Sequence, residues 1–189
     1  SDINMVDSIS KKIINSISTN EKYNEDKLEQ MEYVLKVLLN ELIKTILVIT
    51  IFSAFGYFKE IIIIDLTMCV IKPFIGGYHE NTQIKCFVAT LILEIGILIL
   101  SLQCNIGFIS NCILISLSIF CIWNQAPIIN SKMPISRPQL LMNNRIRGLS
   151  TSIFLGALSV VLYNYSIYYS LITWTILFQA ILMFNKRES

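Results

Sequence analysis

Residues 87–129 read FVATLILEIGILILSLQCNIGFISNCILISLSIFCIWNQAPII, and a single charge, Glu94, interrupts them. Residues 148–184 form a second long run with no Asp, Glu, Lys or Arg. Segments of this kind are too apolar to face water on either side, and their length suits the hydrocarbon core of a bilayer. The whole chain agrees with them. Of its 189 residues, 54% are hydrophobic and only 15% charged, against about 25% charged in an ordinary soluble domain, and the mean hydropathy is +0.62. A soluble domain, a disordered chain and a disulfide scaffold are thereby excluded. A net charge of +2 also leaves no electrostatic footprint for nucleic acid.

Outward from these runs the chain resolves into helical segments. Residues 3–18 are amphipathic, with Val6, Ile9, Ile13 and Ile17 at helical spacing and Asp7, Ser10, Lys11 and Asn15 on the other side. Ser18-Thr19-Asn20 interrupts this helix. Asn24, followed by Glu25 and Asp26, then reads as an N-cap with acids in the first turn. The helix it opens is expected to reach about Tyr57, amphipathic through Leu28, Met31, Leu35, Leu38 and Leu39 and apolar over Leu42–Phe58. Five more apolar segments follow, at about 61–75, 86–102, 106–123, 149–163 and 166–184.

The expected fold is all-α. It is a polytopic membrane protein with about six transmembrane helices plus an N-terminal amphipathic helix, residues 1–24 forming the interfacial segment and 25–189 a single bundle. Several spans fall short of the usual ~20 residues, which tilt and packing accommodate. Ser1–Asn20 lacks a basic-then-apolar signal pattern, so the spans themselves are expected to direct insertion.

Orientation follows from the basic residues between spans. Lys72 and Lys85 flank one connection, Lys132, Arg137, Arg145 and Arg147 lie in another, and Lys186 and Arg187 follow the last span. The alternate connections, near Lys59, Gln103 and Asn164, hold one basic residue between them. This asymmetry puts both termini and the loops containing His79 and Lys132–Arg147 in the cytoplasm of a cell-membrane protein.

One stretch carries reactive chemistry: KPFIGGYHENTQIKC, Lys72–Cys86. It contains the chain's only histidine, its only Gly-Gly and a cysteine at the mouth of a span. His79-Glu80 begins like a HExxH zinc motif, but Gln83 stands where the second histidine belongs, so no metal site is expected. The cysteines, Cys69, Cys86, Cys104, Cys112 and Cys121, form no CxxC pair, and four of them sit in apolar runs as helix-packing thiols. No nucleophile elbow or phosphate loop is present.

Cysteine and histidine together can supply a nucleophile and its base. Seven residues on one straight helix rise about 10.5 Å, beyond the ~3 Å reach of a hydrogen bond. His79 and Cys86 therefore meet only through a loop followed by a new helix. Gly76 and Gly77 permit the turn, and Asn81 or Thr82 can cap the helix. Cys86 then falls in or just after the first turn, where the helix dipole favours an anion and free N–H groups can hold an oxyanion. On the residues alone a bland reading stands beside this one: His79 as an interfacial polar side chain and Cys86 as a packing thiol.

The same stretch resembles the AgrB family of quorum-sensing membrane endopeptidases. Lys72, Gly77, His79 and Cys86 match that family's order of a basic residue, Gly, His and, seven positions later, Cys. Ala126-Pro127 and Lys132-Met133-Pro134 are similar to its Ala-Pro…Asn-Lys-Pro loop, and Tyr33-Val34-Leu35-Lys36 to its N-terminal Tyr-Gly-Leu-Glu region. Val34 replaces a glycine there, and Glu80 stands where a small residue is usual.

The resemblance implies a cysteine peptidase that removes the C-terminal tail of an AgrD-type precursor peptide. Cys86 would be the nucleophile and His79 the base, with the peptide held as a thioester and released as a thiolactone. Its implied partner is that peptide, met in the bilayer; a second copy of the chain is also expected, since so small a chain has limited means to enclose a substrate groove, and no cofactor is expected. Lys72, Gly76, Gly77, Glu80, Lys132, Arg137, Arg145 and Arg147 are the candidate supporting or substrate-binding residues. The basic ones are read either as topology and lipid contacts or as holders of an acidic substrate tail. Asp65 and Glu94, carboxylates deep in spans, are read either as orienting His79 or as pairing with Lys72, Thr67 or Asn111. They also suggest the competing class, a small transporter or exporter, with a non-enzymatic membrane scaffold as the third.

Overall fold

The computed structural model describes residues 2–18, 24–76, 82–128 and 138–184. They form α1 (Asp2–Ser18), α2 (Glu25–Ala54), α3 (Phe58–Ile75), α4 (Gln83–Gln103), α5 (Phe108–Gln125), α6 (Pro138–Leu162) and α7 (Tyr169–Leu182). The chain divides into two compact units, Ser1–Ile51 and Phe52–Ser189.

In the first unit α1 buries Val6, Ser10 and Ile14, which recur every fourth residue on one stripe. Ile9, Ile13 and Ile17 are 36–42% exposed, as on the apolar face of a helix lying in a membrane interface. Ser10 tolerates burial because its hydroxyl donates to the Asp7 carbonyl at 3.1 Å. Lys36 of α2 reaches Asp7 at 2.9 Å and Glu32, one turn back, at 2.7 Å. Charge extends further along α2 than expected, because Lys44 lies within the apolar half, where its ammonium meets Glu41 at 2.6 Å.

In the second unit α7 is the central helix, packed by α3, α4, α5 and α6. Ile71 and Ile75 of α3, Ile122 and Ala126 at the end of α5, Leu155 of α6 and Ile172, Ile176, Ala180 and Met183 on α7 make one apolar core. Two glycines on α6 set the spacing. A Cβ on Gly148 would stand 2.7 Å from a methyl of Ile75 on α3, and one on Gly156 would stand 2.6 Å from a methyl of Ile115 on α5. Small residues at such crossings let apolar helices approach closely where no hydrophobic effect drives them together.

A polar knot joins α5, α6 and α7. Thr173 donates to the Asn111 side-chain oxygen at 2.6 Å, and the Asn111 amide donates to Ser159 Oγ at 3.3 Å. The Ser159 and Thr173 hydroxyls lie 2.7 Å apart, and Ser159 also reaches the Tyr169 carbonyl at 3.0 Å. All three side chains are fully buried. Just beyond the knot the Tyr169 hydroxyl donates to the Ile106 carbonyl at 2.7 Å. The Phe108, Tyr163 and Tyr169 rings stack edge-to-face there, with centroids 5.3 and 4.8 Å apart. Exposed Tyr165 and Ile167 border this aromatic end, as at a membrane interface.

Three helices among the described residues, α4, α5 and α6, are long and apolar enough to cross a membrane. At 1.5 Å per residue, α5 alone spans about 27 Å, close to the hydrocarbon thickness. The expected count of about six is not reached. α2 carries charge as far as Lys44, α3 holds Lys59, Glu60, Asp65 and Lys72 within 18 residues, and α7 is apolar but only 14 residues long. α6 begins at Pro138, well before the apolar run at 149, because Pro is at home in a first helical turn and a polar helical stretch leaves no hydropathy signal. Ile92, Ile109, Phe120, Phe154 and Val161 are among many large apolar side chains left exposed. Together these features are those of a membrane-associated protein of several helices.

Replacing Asn111 by Ala should cost about 1–2 kcal/mol, and adding Thr173→Ala should cost little more, since the knot is lost once. Thermal unfolding in detergent micelles measures both; full additivity of the two losses would show that the bonds act separately.

Candidate functional site

The end of the bundle opposite the aromatic cluster collects the candidate residues. α3 ends at Ile75, and Lys72 in its last turn accepts the Gly76 N–H at 3.1 Å. Gly76 has φ +75° and ψ −177°, a region that is essentially glycine-only. A Cβ at Gly76 would also collide with the Ile128 carbonyl oxygen. The segment Ala126–Ile128 leaves α5 and lies across this point, and the Ile128 N–H donates to the Ile75 carbonyl at 2.9 Å. α6 closes the other side, with Gly148 against Phe74 and Ile75.

Cys86 is the fourth residue of α4 and is half-buried. Its N–H donates to the Thr82 carbonyl at 3.0 Å, the first intrahelical bond of α4. Thr82 is the N-cap, extended at φ −125° and ψ 145°, and its hydroxyl accepts the Lys85 N–H at 3.4 Å. Thr82 thus supplies the cap for which Asn81 was the other candidate. The N–H groups of Gln83 and Ile84 have no acceptor within the helix, as at any helix start. Thr90 donates its hydroxyl to the Cys86 carbonyl at 2.9 Å. Gly76 and Thr82 are six positions apart and so at most about 20 Å from each other, which keeps the start of α4 within reach of the end of α3.

The two arginines of α6 differ. Arg145 donates from its guanidinium to the Trp123 carbonyl at 2.9 Å, satisfying one of the last carbonyls of α5. Arg147, two residues on, points to another side of α6 and is exposed. Asp65 and Glu94 are both buried. Glu94 lies eight residues past Cys86 on the same helix, about 12 Å deeper, in the bundle interior rather than at the loop end. Thr67 donates to the Ile63 carbonyl at 2.7 Å, and Asn111 belongs to the knot. His79, Gly77, Glu80, Lys132 and Arg137 lie outside the described residues. Among the described residues no group of three or more His, Cys, Asp or Glu side chains is arranged to hold a metal.

Sequence reading missed Ile128 and the clasp it makes on Gly76. The available signal was Ala126-Pro127, which breaks the chain out of α5 in an extended conformation (Ala126 φ −74°, ψ 146°).

Among the described residues, apolar helices around a buried polar knot, with Cys86 and basic residues toward one end, define an all-α membrane protein. The chain belongs to the accessory gene regulator B (AgrB) family, whose profile matches residues 10–183. It is 44% identical over 163 residues to AgrB-like protein 1 of Clostridium perfringens (strain 13 / Type A), covering 86% of this chain and 87% of that one. Similarity to AgrB-like protein 2 of the same strain is 24% over 169 residues, covering 84% and 79%. An AgrB-like protein of strain SM101 is 24% identical over 178 residues, covering 89% and 83%. No solved structure matches the chain. Membership carries the family's general role, processing quorum-sensing peptide precursors at the membrane.

Arg145→Gln should lower stability by about 0.5–1.5 kcal/mol through loss of its bond to α5, while Arg147→Gln should leave it within about 0.5 kcal/mol. Thermal unfolding of the two variants separates them; equal losses would contradict the division of roles.

Proposed function

We propose that this protein is a membrane-embedded cysteine endopeptidase that removes the C-terminal tail of an AgrD-type precursor and closes the remaining peptide into a thiolactone. The observation that carries the reading is Cys86 at the capped start of an apolar helix, seven residues after His79, in a chain of this family.

In the first step Cys86 Sγ attacks the carbonyl carbon of the scissile peptide bond while His79 takes the thiol proton. The helix-start N–H groups face the oxygen on which negative charge develops. The C–N bond then breaks, His79 returns the proton to the leaving amine, and the tail departs. The peptide core stays on Cys86 as a thioester. In the second step a thiol within the core attacks that thioester, the ring closes, and Cys86 is released with its proton restored. No water is consumed, so a site at the membrane boundary suits the chemistry.

The bilayer and the precursor are the partners this requires. Six crossings by α2–α7, with the termini and the His79 loop cytoplasmic, are the topology that fits the basic-residue asymmetry. Arg147 on α6 is available to an acidic tail at the same end of the bundle as Lys72 and Lys85, with Lys132 and Arg137 preceding it in the chain.

Co-expression with a precursor and mass spectrometry of the products tests the reading. The unaltered protein should yield free tail and a core lighter by one water than the hydrolysed core. Cys86→Ala should abolish tail release at equal membrane abundance, and His79→Ala should slow it by about a hundredfold or more. Tail release by Cys86→Ala would favour a transporter or scaffold, classes in which that sulfur has no part.

A further inference from the structure

The point where the chain leaves α3 is held from two directions. On one side the Ile128 N–H binds the Ile75 carbonyl at 2.9 Å, and the Ile128 carbonyl occupies the space that any Cβ at position 76 would need. On the other, Gly148 lets α6 close on Phe74 and Ile75. The holding segment is itself anchored, because Ala126 is buried in the apolar core and Ile128 packs against it. Arg145 fastens the end of α5 to α6 through the Trp123 carbonyl. The end of α3 is thus held by α6 at Phe74 and Ile75 and by the segment after α5 at Ile75 and Gly76, and Gly76 has a backbone conformation that only glycine adopts readily. Gly76 stands three residues before His79, and Ile128 stands four before Lys132.

We propose that the Ile75–Ile128 clasp is a positioning device for the cleavage reaction, and that Gly76 is its specific positioning residue. This rests on the peptidase reading above and adds to it the part that sets where the His79-bearing chain departs. The physical need is clear: a base and nucleophile on separate segments work together only if both are fixed, and a misplacement of about 1 Å costs about a hundredfold in rate. α4 fixes Cys86 through the Thr82 cap. The clasp provides the matching fixed point on the other segment, and it also ties that point to the segment leading into the basic loop. Gly76 touches neither substrate nor sulfur; it acts through the chain it launches.

The test uses the full-length protein in proteoliposomes and two readouts. One is tail release from a precursor peptide. The other is the rate at which iodoacetamide alkylates Cys86, followed by mass spectrometry of the Cys86 peptide, which reports the thiolate that a correctly placed base generates. His79→Ala sets the base-free rate for each. Gly76→Ala introduces the collision. Ile128→Pro removes the donor N–H while leaving Gly76 in place, and Ile128→Val keeps both backbone groups.

Gly76→Ala and Ile128→Pro should each slow tail release about a hundredfold, lower Cys86 alkylation to the His79→Ala rate, and cause no further loss when combined with His79→Ala. Ile128→Val should match the unaltered protein. Should Gly76→Ala fail to accumulate, Ile128→Pro carries the comparison. Failure of both to accumulate overturns the proposal, because the clasp would then be a requirement of the fold. Losses that add to that of His79→Ala, or unchanged alkylation, overturn it as well. If His79→Ala slows cleavage but Gly76→Ala does not, the clasp inference falls and the peptidase reading stands. If His79→Ala cleaves normally, the peptidase reading fails and takes the clasp with it.

Discussion

In a bilayer every buried polar group must find its partner inside the protein, and the knot of Asn111, Ser159 and Thr173 meets that demand for three helices at once. An amide and two hydroxyls, all fully buried, saturate one another and the Tyr169 carbonyl. Because α7 contributes Thr173, the knot locks the short central helix in rotation against α5 and α6. That rotation turns Ile172, Ile176, Ala180 and Met183 into the apolar core shared with α3 and α5. With α7 fixed, the ends of α3 and α5 are brought level, and the clasp of Ile128 on Gly76 becomes possible.

The two ends of the second unit then differ in character. One is aromatic, with Phe108, Tyr163 and Tyr169 in edge contact. The other is polar and basic, with Lys72 in the last turn of α3, Lys85 in the first turn of α4 and Arg145 and Arg147 early on α6. Cys86 lies at the start of α4, where backbone N–H groups that would be bonded in the middle of an apolar helix have no acceptor within the helix.

Much of this was readable in the residues. The charge-free runs announced the membrane helices, and α4 and α5 lie within a few residues of their hydropathy limits because both their faces are apolar. A cap at Asn81 or Thr82 and the place of Cys86 near the first turn followed from capping chemistry and spacing, and the structure selects Thr82. The six-span count was less secure, because hydropathy averages over a segment and does not show where charges such as Lys44 or Asp65 fall on it. In α1 periodicity gave the helix and its apolar stripe of Val6, Ile9, Ile13 and Ile17, while burial of Val6, Ser10 and Ile14 within the protein depended on packing.

The sequence by itself determined the class of protein, the helical composition, the family and the pair of residues to suspect, because these depend on local chemistry: transfer of side chains to lipid, helix capping and the spacing of reactive groups. Only the tertiary structure decided which arginine is bound to a neighbouring helix and that an extended segment after α5 is seated on Gly76. Those facts depend on contacts between residues distant in the chain, here 75 with 128 and 123 with 145. Such pairings emerge when helices pack, and no local pattern encodes them.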